Sequence, residues 1–381
     1  MDVIDLTKAL VAKRSITPDD AGCQALLTEL LGEAGFEISH HRFGEVDNLL
    51  ATHVGASAQT GPHILWIGHT DVVPPGPEDQ WSSPPFEPTE RDGELVGRGV
   101  ADMKGSDAAM VVALIDFVER HPDHAGRVSV LITSDEEGPA IDGIRAVVPH
   151  LKETGLWPDV CLVGEPSSHA ALGDRIRIGR RGSIQAVLTI EGKQGHTAYS
   201  LAQDNPAHRG GPLIAALGAL EFDDGDEAFD PTRLQISNLQ AGTGADNVSP
   251  GALVMYFNIR NNPNTPADAL KTQIEALIAD HDPGRWTLNW RVSAEPFGPC
   301  SGEFLDAVVS AFESTLGATP QLDTGGGTSD GRFFGPEGVP VIEAGPVNAT
   351  IHQIDERVAI DDLKKLPRVF YAMMASILGI K

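Results

Sequence analysis

Short apolar segments of strand length alternate with helical segments over the first 178 residues of this 381-residue chain. The segments HILWIGHTDVV, VSVLITS and DVCLVGEP have the length and branched side chains of strands, whereas residues 104–120 and 143–153 carry apolar side chains at helical spacing. Continuously apolar strands between helices are typical of a mostly parallel sheet covered by helices. We therefore predict an α/β fold. The pair Thr17-Pro18 predicts the start of a helix near the N-terminus.

The pattern changes between about residues 179 and 292. The segments SIQAVLTIEG, RLQISNLQAG and ALVMYFNIRNN alternate with a period of two, as strands with one solvated face do. Helices are predicted near 206–220 and 266–280, and the first pattern returns with helices near 303–316 and 361–378. We predict an α/β catalytic domain in two parts, 1–178 and 293–381, interrupted by an α+β domain, 179–292, with an antiparallel sheet and two helices.

The charge and the cysteines restrict the class of protein. With 54 acidic and 28 basic residues the formal net charge is −26, which disfavours binding to nucleic acid or to an anionic membrane surface. The longest apolar run, Ala108 to Ile115, is far shorter than the ~20 residues of a membrane span. The acidic N-terminus does not resemble a signal peptide, and three separated cysteines fit a reducing compartment. We expect a cytoplasmic protein.

Acidic and histidine side chains follow the ends of several predicted strands. Such ends meet at one edge of an open α/β sheet, where ligands bind. Taken singly, each of these residues is more simply interpreted as a helix cap or a solvated loop residue. Together, however, five acids and two histidines would repel one another strongly unless cations held them. They are His69, Asp71, Asp102, Glu136, Glu137, Glu165 and His352.

Two histidines and three carboxylates are enough to hold two metal ions if one carboxylate bridges them. The glycines around Asp102 favour it as the bridge. His69, Asp102 and Glu165 would then hold one ion, and His352, Asp102 and Glu137 the other. Imidazole and carboxylate suit Zn²⁺, although Co²⁺ or Mn²⁺ can suit the same ligands.

Two further acids have predicted roles beside these ligands. Asp71 lies two residues from His69 and could fix the tautomer of its imidazole through the second ring nitrogen. Glu136 is adjacent to a ligand without being needed as one. It is therefore the natural general base for a water shared by the two ions.

Several sequence words resemble one known family. HTDVVPPG, GRGVADMKG, DEEG, VGEPS, GKQGHTAY and IHQIDE are similar to the di-zinc M20 metallopeptidases, which include aminoacylases, carboxypeptidases and deacylases. The resemblance runs from about Leu6 to Leu378 and includes the interrupted domain. It implies two Zn²⁺ per subunit and a homodimer formed through the inserted domain, which also acts as a lid. It implies metal ligands at His69, Asp102, Glu137, Glu165 and His352, and catalytic roles for Asp71 and Glu136.

Longer words, among them GDRIRIGRRGS, GGGTSDGRFF and EAGPVNATIHQIDE, resemble a narrower group of M20 deacylases. That group hydrolyses N-succinyl-LL-2,6-diaminopimelate to succinate and LL-2,6-diaminopimelate, on the bacterial route to lysine. The resemblance implies that His196 of the partner subunit donates to the developing oxyanion. Ser200 and Asp355 depart from the family pattern, which has proline and commonly asparagine there. Substrate contacts are implied at Arg180, Ser183, Asn247, Arg260, Gly327, Thr328 and Asn348.

An anionic substrate needs a local reversal of the negative field. Four arginines between 175 and 181, and Arg260 further on, could supply it because guanidinium binds carboxylate in a bidentate manner. A salt-bridge cluster at an exposed strand end is the simpler alternative for this segment. We expect Arg175 and Arg177 to be surface residues.

Other functions remain open from the sequence. Another M20 deacylase, such as an N-acetylornithine deacetylase or an aminoacylase, would share the same chemistry. An aminopeptidase would need an acid for a free α-amine, which is not obvious here. A non-catalytic binding protein would be expected to lack a ligand, and a Ser-His-Asp hydrolase would be expected to have a G-x-S-x-G turn.

Overall fold

The computed structural model describes residues 2–56, 61–282 and 285–380. A helix with the length and hydrophobicity that a bilayer crossing requires is absent from these residues. The helices are α1 Val3–Val11, α2 Cys23–Glu33, α3 Gly105–Arg120, α4 Ile144–Thr154, α5 Pro206–Gly218, α6 Ala267–His281, α7 Glu303–Leu316 and α8 Ile360–Ile377. The strands are β1 Glu37–Phe43, β2 Val46–Val54, β3 His63–His69, β4 Thr89–Arg91, β5 Glu94–Val96, β6 Arg127–Thr133, β7 Val160–Val163, β8 Arg175–Arg177, β9 Ser183–Glu191, β10 Gly195–His196, β11 Arg233–Ala241, β12 Val248–Ser249, β13 Ala252–Arg260, β14 Trp286–Ala294, β15 Gln321–Asp323, β16 Val341–Glu343 and β17 Arg357–Ala359.

The chain divides into two compact units. The first contains the described residues up to Gly179, then Gly298–Asp323 and the described residues from Ser329 onward. The second contains Arg180–Phe297 together with the short segment Thr324–Thr328.

The first unit is built on an eight-stranded sheet in the order β1-β2-β6-β3-β7-β16-β8-β15. Its central strands β6, β3, β7 and β16 run parallel, and β15 is parallel to β8. The pairs β1-β2, β2-β6 and β16-β8 are antiparallel. Every residue of β3 is buried, as expected for a central strand with helices on both faces. The carboxyl ends of β3, β6 and β7 therefore lie side by side.

Aromatic and aliphatic side chains of the sheet and helices form the core of the first unit. The rings of Trp66 and Phe370 lie 4.7 Å apart and both side chains are fully buried. On α3, Met110, Leu114 and Phe117 are also fully buried. Burying each such side chain contributes roughly 1.5–3 kcal/mol. This packing fixes α3, whose N-terminus directly follows the segment that carries Asp102.

The second unit is an antiparallel sheet in the order β11-β13-β9-β14, with α5 and α6. Burial alternates along β9 and β13, as the period of two predicted. Leu213 of α5 and Ile274 of α6 are buried in its core. The predicted α/β class is confirmed, with a mostly parallel main sheet and a separate antiparallel domain with helices.

The predicted helix start at Thr17-Pro18 is wrong. Helix α2 begins at Cys23, where the carboxylate of Asp20 accepts a hydrogen bond from the amide of Gln24 at 3.0 Å. Thr17 and Pro18 lie in the preceding turn. A threonine before a proline is common in turns as well as at helix starts, and the capping acid follows two residues after the proline.

Candidate active site

The ends of two neighbouring parallel strands bring the first group of predicted ligands together. In the register of β3 and β7, Ile67 lies opposite Val163, so His69 and Glu165 leave the sheet side by side. The Nε2 of buried His69 lies 3.6 Å from Oε1 of Glu165 and 3.2 Å from Oδ1 of Asp102.

The second group forms around His352, in the loop between β16 and β17. Its Nε2 lies 2.9 Å from Oε1 of Glu137, which follows β6, and 3.3 Å from Oδ2 of Asp102. The two oxygens of Asp102 therefore face the two histidines, one each. The structure thus brings all five predicted ligands together, with Asp102 between the two histidines.

A tight turn, Val100–Lys104, presents Asp102. The backbone of Asp102 is not helical, with φ −127° and ψ 94°. The buried Lys104 ammonium donates to two backbone carbonyls near the end of α1, at 2.8 and 3.0 Å. Gly99 has φ +81°, and a Cβ there would come within 2.3 Å of the Val72 side chain. Only glycine suits both conditions.

Asp71 organises the segment that follows β6. Its buried carboxylate accepts hydrogen bonds from the amides of Glu136 at 3.2 Å and Glu137 at 3.1 Å. The His69 Nδ1 lies 2.9 Å from the backbone oxygen of Asp71 and 3.6 Å from its Oδ1. The nearest partner of the imidazole is thus a carbonyl rather than the expected carboxylate. The carboxylate instead orients the backbone of the two glutamates.

Glu136 lies within this cluster of negative charge. One ligand atom from each of His69, Glu136 and Glu165 lie within 4.8 Å of one another. Burial, together with Asp330 and Glu165, raises the pKa of Glu136 well above its ordinary value. Burial and the nearby Asp102 likewise raise the pKa of Glu165 to about 7. A buried carboxyl with a raised pKa suits a general base that must also release its proton.

The pKa values of the two histidines are raised as well, which for an imidazole favours the charged form. Hydrogen bonds that the His352 imidazole donates to the carboxylates of Asp102 and Glu137 raise the pKa of His352 to about 10. Although burial opposes it, Asp102 and Glu165 raise the pKa of His69 well above its ordinary value. Protonated imidazoles thus balance the carboxylates in this arrangement. A divalent ion would take over that role, since a ligating imidazole must be neutral, so the donor set fits bound metal.

Two contacts near Glu136 were not anticipated from the sequence. The Arg332 Nη2 lies 3.2 Å from Oδ1 of Asp330 and 3.8 Å from Oε1 of Glu136. Arg332 and Asp330 belong to a short helical turn, Asp330–Phe333, within the sequence GGGTSDGRFF. This sequence word identified the segment, but the sequence did not show which of its charged side chains faces Glu136.

Predicted substrate contacts in the second unit include a group of arginines. Burial, with Arg181 and Arg180 nearby, lowers the pKa of Arg260, so three guanidinium groups concentrate positive charge there. The Arg180 Nη1 donates to the backbone oxygen of Gly325 at 2.6 Å. That carbonyl belongs to Thr324–Thr328, the segment that contains Gly327 and Thr328. Ser183 is buried at the start of β9.

In the second unit His196 ends the short strand β10, and Asn247 directly precedes its partner strand β12. His196 is exposed and pairs with Val248, and the Asn247 carbonyl accepts from the next amide, that of residue 197, at 2.9 Å. The Ala198 amide donates to Nδ1 of His196 at 3.1 Å. A neutral imidazole held in this way carries its proton on Nε2 and presents a donor. The Ser200 amide and hydroxyl both donate to the His196 carbonyl, at 3.0 and 3.1 Å, whereas proline there would lack the amide donor.

The remaining predicted residues lie in the first unit. Asn348 follows β16, and its amide donates to the Ser168 carbonyl at 3.0 Å. The expectation that Arg177 is a surface residue is wrong: its side chain is buried and pairs with Asp323. Asp355, with φ +58°, accepts from the amide and hydroxyl of Ser82 at 2.9 and 2.8 Å.

Known proteins resemble the chain along its whole length. A curated succinyl-diaminopimelate desuccinylase of Stenotrophomonas maltophilia (strain R551-3) is 52% identical over 376 residues, which cover 99% of each chain. The M20 metallo-carboxypeptidase Sso-CP2 of Sulfolobus solfataricus has the same fold, with a TM-score of 0.81, 15% identity and complete coverage of both chains. The Bacillus subtilis YXEP protein, described as a dinuclear metal-binding M20 peptidase, has a TM-score of 0.76 at 16% identity, over 99% of this chain and 97% of its own.

The family profile gives the same result. The profile of peptidase family M20/M25/M40 matches residues 65–376, which include every residue of the cluster around Asp102. The resemblance that the sequence words indicated is therefore confirmed, and the chain belongs to the M20/M25/M40 peptidase family.

Proposed function

We propose that this M20 protein hydrolyses N-succinyl-LL-2,6-diaminopimelate to succinate and LL-2,6-diaminopimelate, in diaminopimelate and lysine biosynthesis. The observation that carries the proposal is the 52% identity, over 99% of both chains, to an enzyme named for this reaction. The cluster around Asp102 supplies groups suited to amide hydrolysis.

The metal site has two parts that share one carboxylate. His69, Asp102 and Glu165 would hold one ion, and His352, Asp102 and Glu137 the other, which is supported by the contacts of 2.9–3.6 Å among them. We propose Zn²⁺ in both positions, with Co²⁺ or Mn²⁺ suited to one of them. When bound, such a pair activates water and polarises a carbonyl group.

Glu136 is the proposed general base and acid. It lies beside His69 and Glu165, and its raised pKa lets it take a proton from water and hold it. The same carboxyl then delivers the proton to the leaving amine. Asp71 keeps the backbone of Glu136 and Glu137 in place through its two hydrogen bonds.

Substrate carboxylates are proposed to bind the arginines of the second unit. The substrate is an anion, and the protein has a net charge of −26, so local positive charge is required for binding. Arg180 and Arg260 provide it, supported by the pKa of Arg260, which burial lowers together with the nearby charges of Arg181 and Arg180. Ser183, Asn247, Gly327, Thr328 and Asn348 are the further proposed substrate contacts.

We propose a cytoplasmic homodimer formed through the second unit. Strand β11 is an edge strand that is exposed along most of its length and carries the exposed apolar side chain of Leu239, and unpaired edges favour strand pairing between chains. In this dimer His196 would act on the partner subunit's substrate, with its Nε2 proton donated to the developing oxyanion.

Mixed dimers test that arrangement. His196→Ala and Glu136→Gln are each expected to be nearly inactive alone. In their heterodimer, one site would combine an intact Glu136 with an intact His196, so an equimolar mixture would regain about one quarter of wild-type activity, from half the dimers with one working site each. If mixing restores nothing although dimers exchange, His196 does not act between subunits.

Substrate choice decides between this proposal and its main alternative, an N-acetylornithine deacetylase or aminoacylase. The purified protein loaded with Zn²⁺ is assayed with N-succinyl-LL-2,6-diaminopimelate, N-acetylornithine and N-acetylated amino acids. We expect kcat/KM for the succinylated substrate to exceed the others by at least 100-fold. An acetyl group lacks the succinyl carboxylate, so the groups that bind this carboxylate would be left without a partner. Equal or higher values for an acetylated substrate would overturn the assignment.

A further inference from the structure

One buried carboxylate, Glu356, contacts the backbone of the segment that carries Asp102. Its Oε1 accepts from the amides of Ala101 at 2.9 Å and Asp102 at 3.1 Å. Its Oε2 accepts from the amide of Gly99 at 3.0 Å and from Nη1 of Arg98 at 2.7 Å. All four hydrogen bonds of this side chain therefore reach residues 98–102, more than 250 positions away in the chain.

The same carboxylate lies close in sequence to His352. Arg98, its partner, also donates from Nη2 to the His352 carbonyl at 3.4 Å. The backbone of His352 has φ +61°, which is uncommon for a residue other than glycine and is held by surrounding contacts. The Arg98 guanidinium lies over the Trp81 ring at 5.1 Å, and both members of the ion pair are buried. The pair thus joins the loops of two predicted ligands.

The contacts of Glu356 and Arg98 matter for the proposed metal site because Asp102 faces both of its histidines. Its two oxygens lie 3.2 and 3.3 Å from the Nε2 atoms of His69 and His352, so a small shift of its backbone changes both halves of the cluster. Hydrogen bonds that orient ligands typically change metal affinity by 10–100-fold when they are removed.

We infer that Glu356 and Arg98 are positioning residues that set the geometry between the two metal positions by fixing the backbone of Asp102 and of His352. Neither side chain is a ligand or touches substrate in the proposed reaction. The inference rests on the proposed two-metal site but not on the identity of the substrate.

The test is binding of Zn²⁺ alone to the chelator-treated protein, measured by competition with a chromophoric chelator. Glu356→Gln has the same shape, but its NH₂ group would face backbone amides or Arg98, so two of the four hydrogen bonds are lost. We expect the weaker of two Zn²⁺ equivalents to lose affinity by 10–100-fold, and the stronger by less. Arg98→Lys keeps a cation near Oε2 and loses the contact to the His352 carbonyl, so we expect a smaller loss that affects one of the two equivalents.

A matched control is Asp282→Asn in the second unit, which disrupts another arginine–carboxylate pair, between buried Asp282 and partly buried Arg209. It should leave both Zn²⁺ affinities within twofold of wild type. Circular dichroism establishes that each variant is folded, and Arg98→Lys serves if Glu356→Gln does not fold. If the wild type takes up fewer than two equivalents, the proposed metal site fails. If the wild type takes up two and both variants bind them with unchanged affinities, only the positioning role is overturned.

Discussion

Asp71→Asn tests how the general base is held in place. The Asp71 carboxylate accepts from two backbone amides, at 3.2 and 3.1 Å, within a fully buried site. Asparagine offers one oxygen, and its NH₂ group would face the second amide donor, so at least one hydrogen bond is lost. A hydrogen bond to a charged group contributes roughly 1.5–3 kcal/mol. Since 1.4 kcal/mol corresponds to a factor of about ten, we expect kcat to fall about 10- to 100-fold.

The assay is steady-state desuccinylation by the Zn²⁺-loaded variant, with metal content measured on the same sample. KM should change by less than threefold, because the lost interaction aligns Glu136 rather than the substrate. The control is Asp174→Asn, which removes a carboxylate that accepts from three backbone amides of residues 169–171 at 2.7–3.1 Å, away from the predicted ligands. A folded, metal-loaded Asp71→Asn protein with kcat within threefold of wild type would refute the positioning role. An equal loss of kcat in Asp174→Asn would show that replacing any such aspartate lowers activity, whatever its position.

Three further outcomes are expected. Glu136→Gln should retain both metal ions and lose at least 10²-fold in kcat, the usual contribution of a general base; activity within tenfold of wild type would contradict its role. Arg260→Lys should raise KM about tenfold, because lysine cannot form a bidentate pair with carboxylate, whereas Arg175→Lys should not; equal effects would contradict substrate binding at Arg260. Burial lowers the pKa of His63 from 6.5 to about 4, so below pH 6.5 the unfolded chain binds a proton that the folded chain excludes, and stability falls as the pH decreases towards 4. The His63→Gln protein should therefore lose about 2 kcal/mol less than wild type between pH 7.5 and 5 in urea unfolding; identical pH dependences would contradict this.

The apolar patterns predicted the layers of the fold because burial alternates with the same periods in the structure. Strand β3 was recognisable because its residues 64–68 form an uninterrupted apolar run, and β9 and β13 because one face of each is buried. Short strands such as β17 carry no such period over their three residues and were not predicted. The start of α2 was placed wrongly because a threonine-proline pair does not distinguish a turn from a cap.

The site was predictable where its residues follow strand ends. His69, Glu137 and Glu165 follow adjacent parallel strands, and topology alone brings them together. The role of Glu356 could not be predicted, because its partners are mostly backbone amides that leave no mark on the side-chain pattern. Arg177 was misplaced for a related reason: an arginine is usually exposed, and its partner Asp323 lies on a strand far along the chain.

Titration of the chelated protein with Zn²⁺ tests the two-metal centre most directly. Binding and desuccinylation are measured on the same samples at each addition. The convergence of two histidines on the two oxygens of Asp102 predicts that two equivalents bind and that activity continues to rise until the second is taken up. Uptake that ends at one equivalent, or full activity in the chelated protein, would contradict a paired site bridged by this carboxylate.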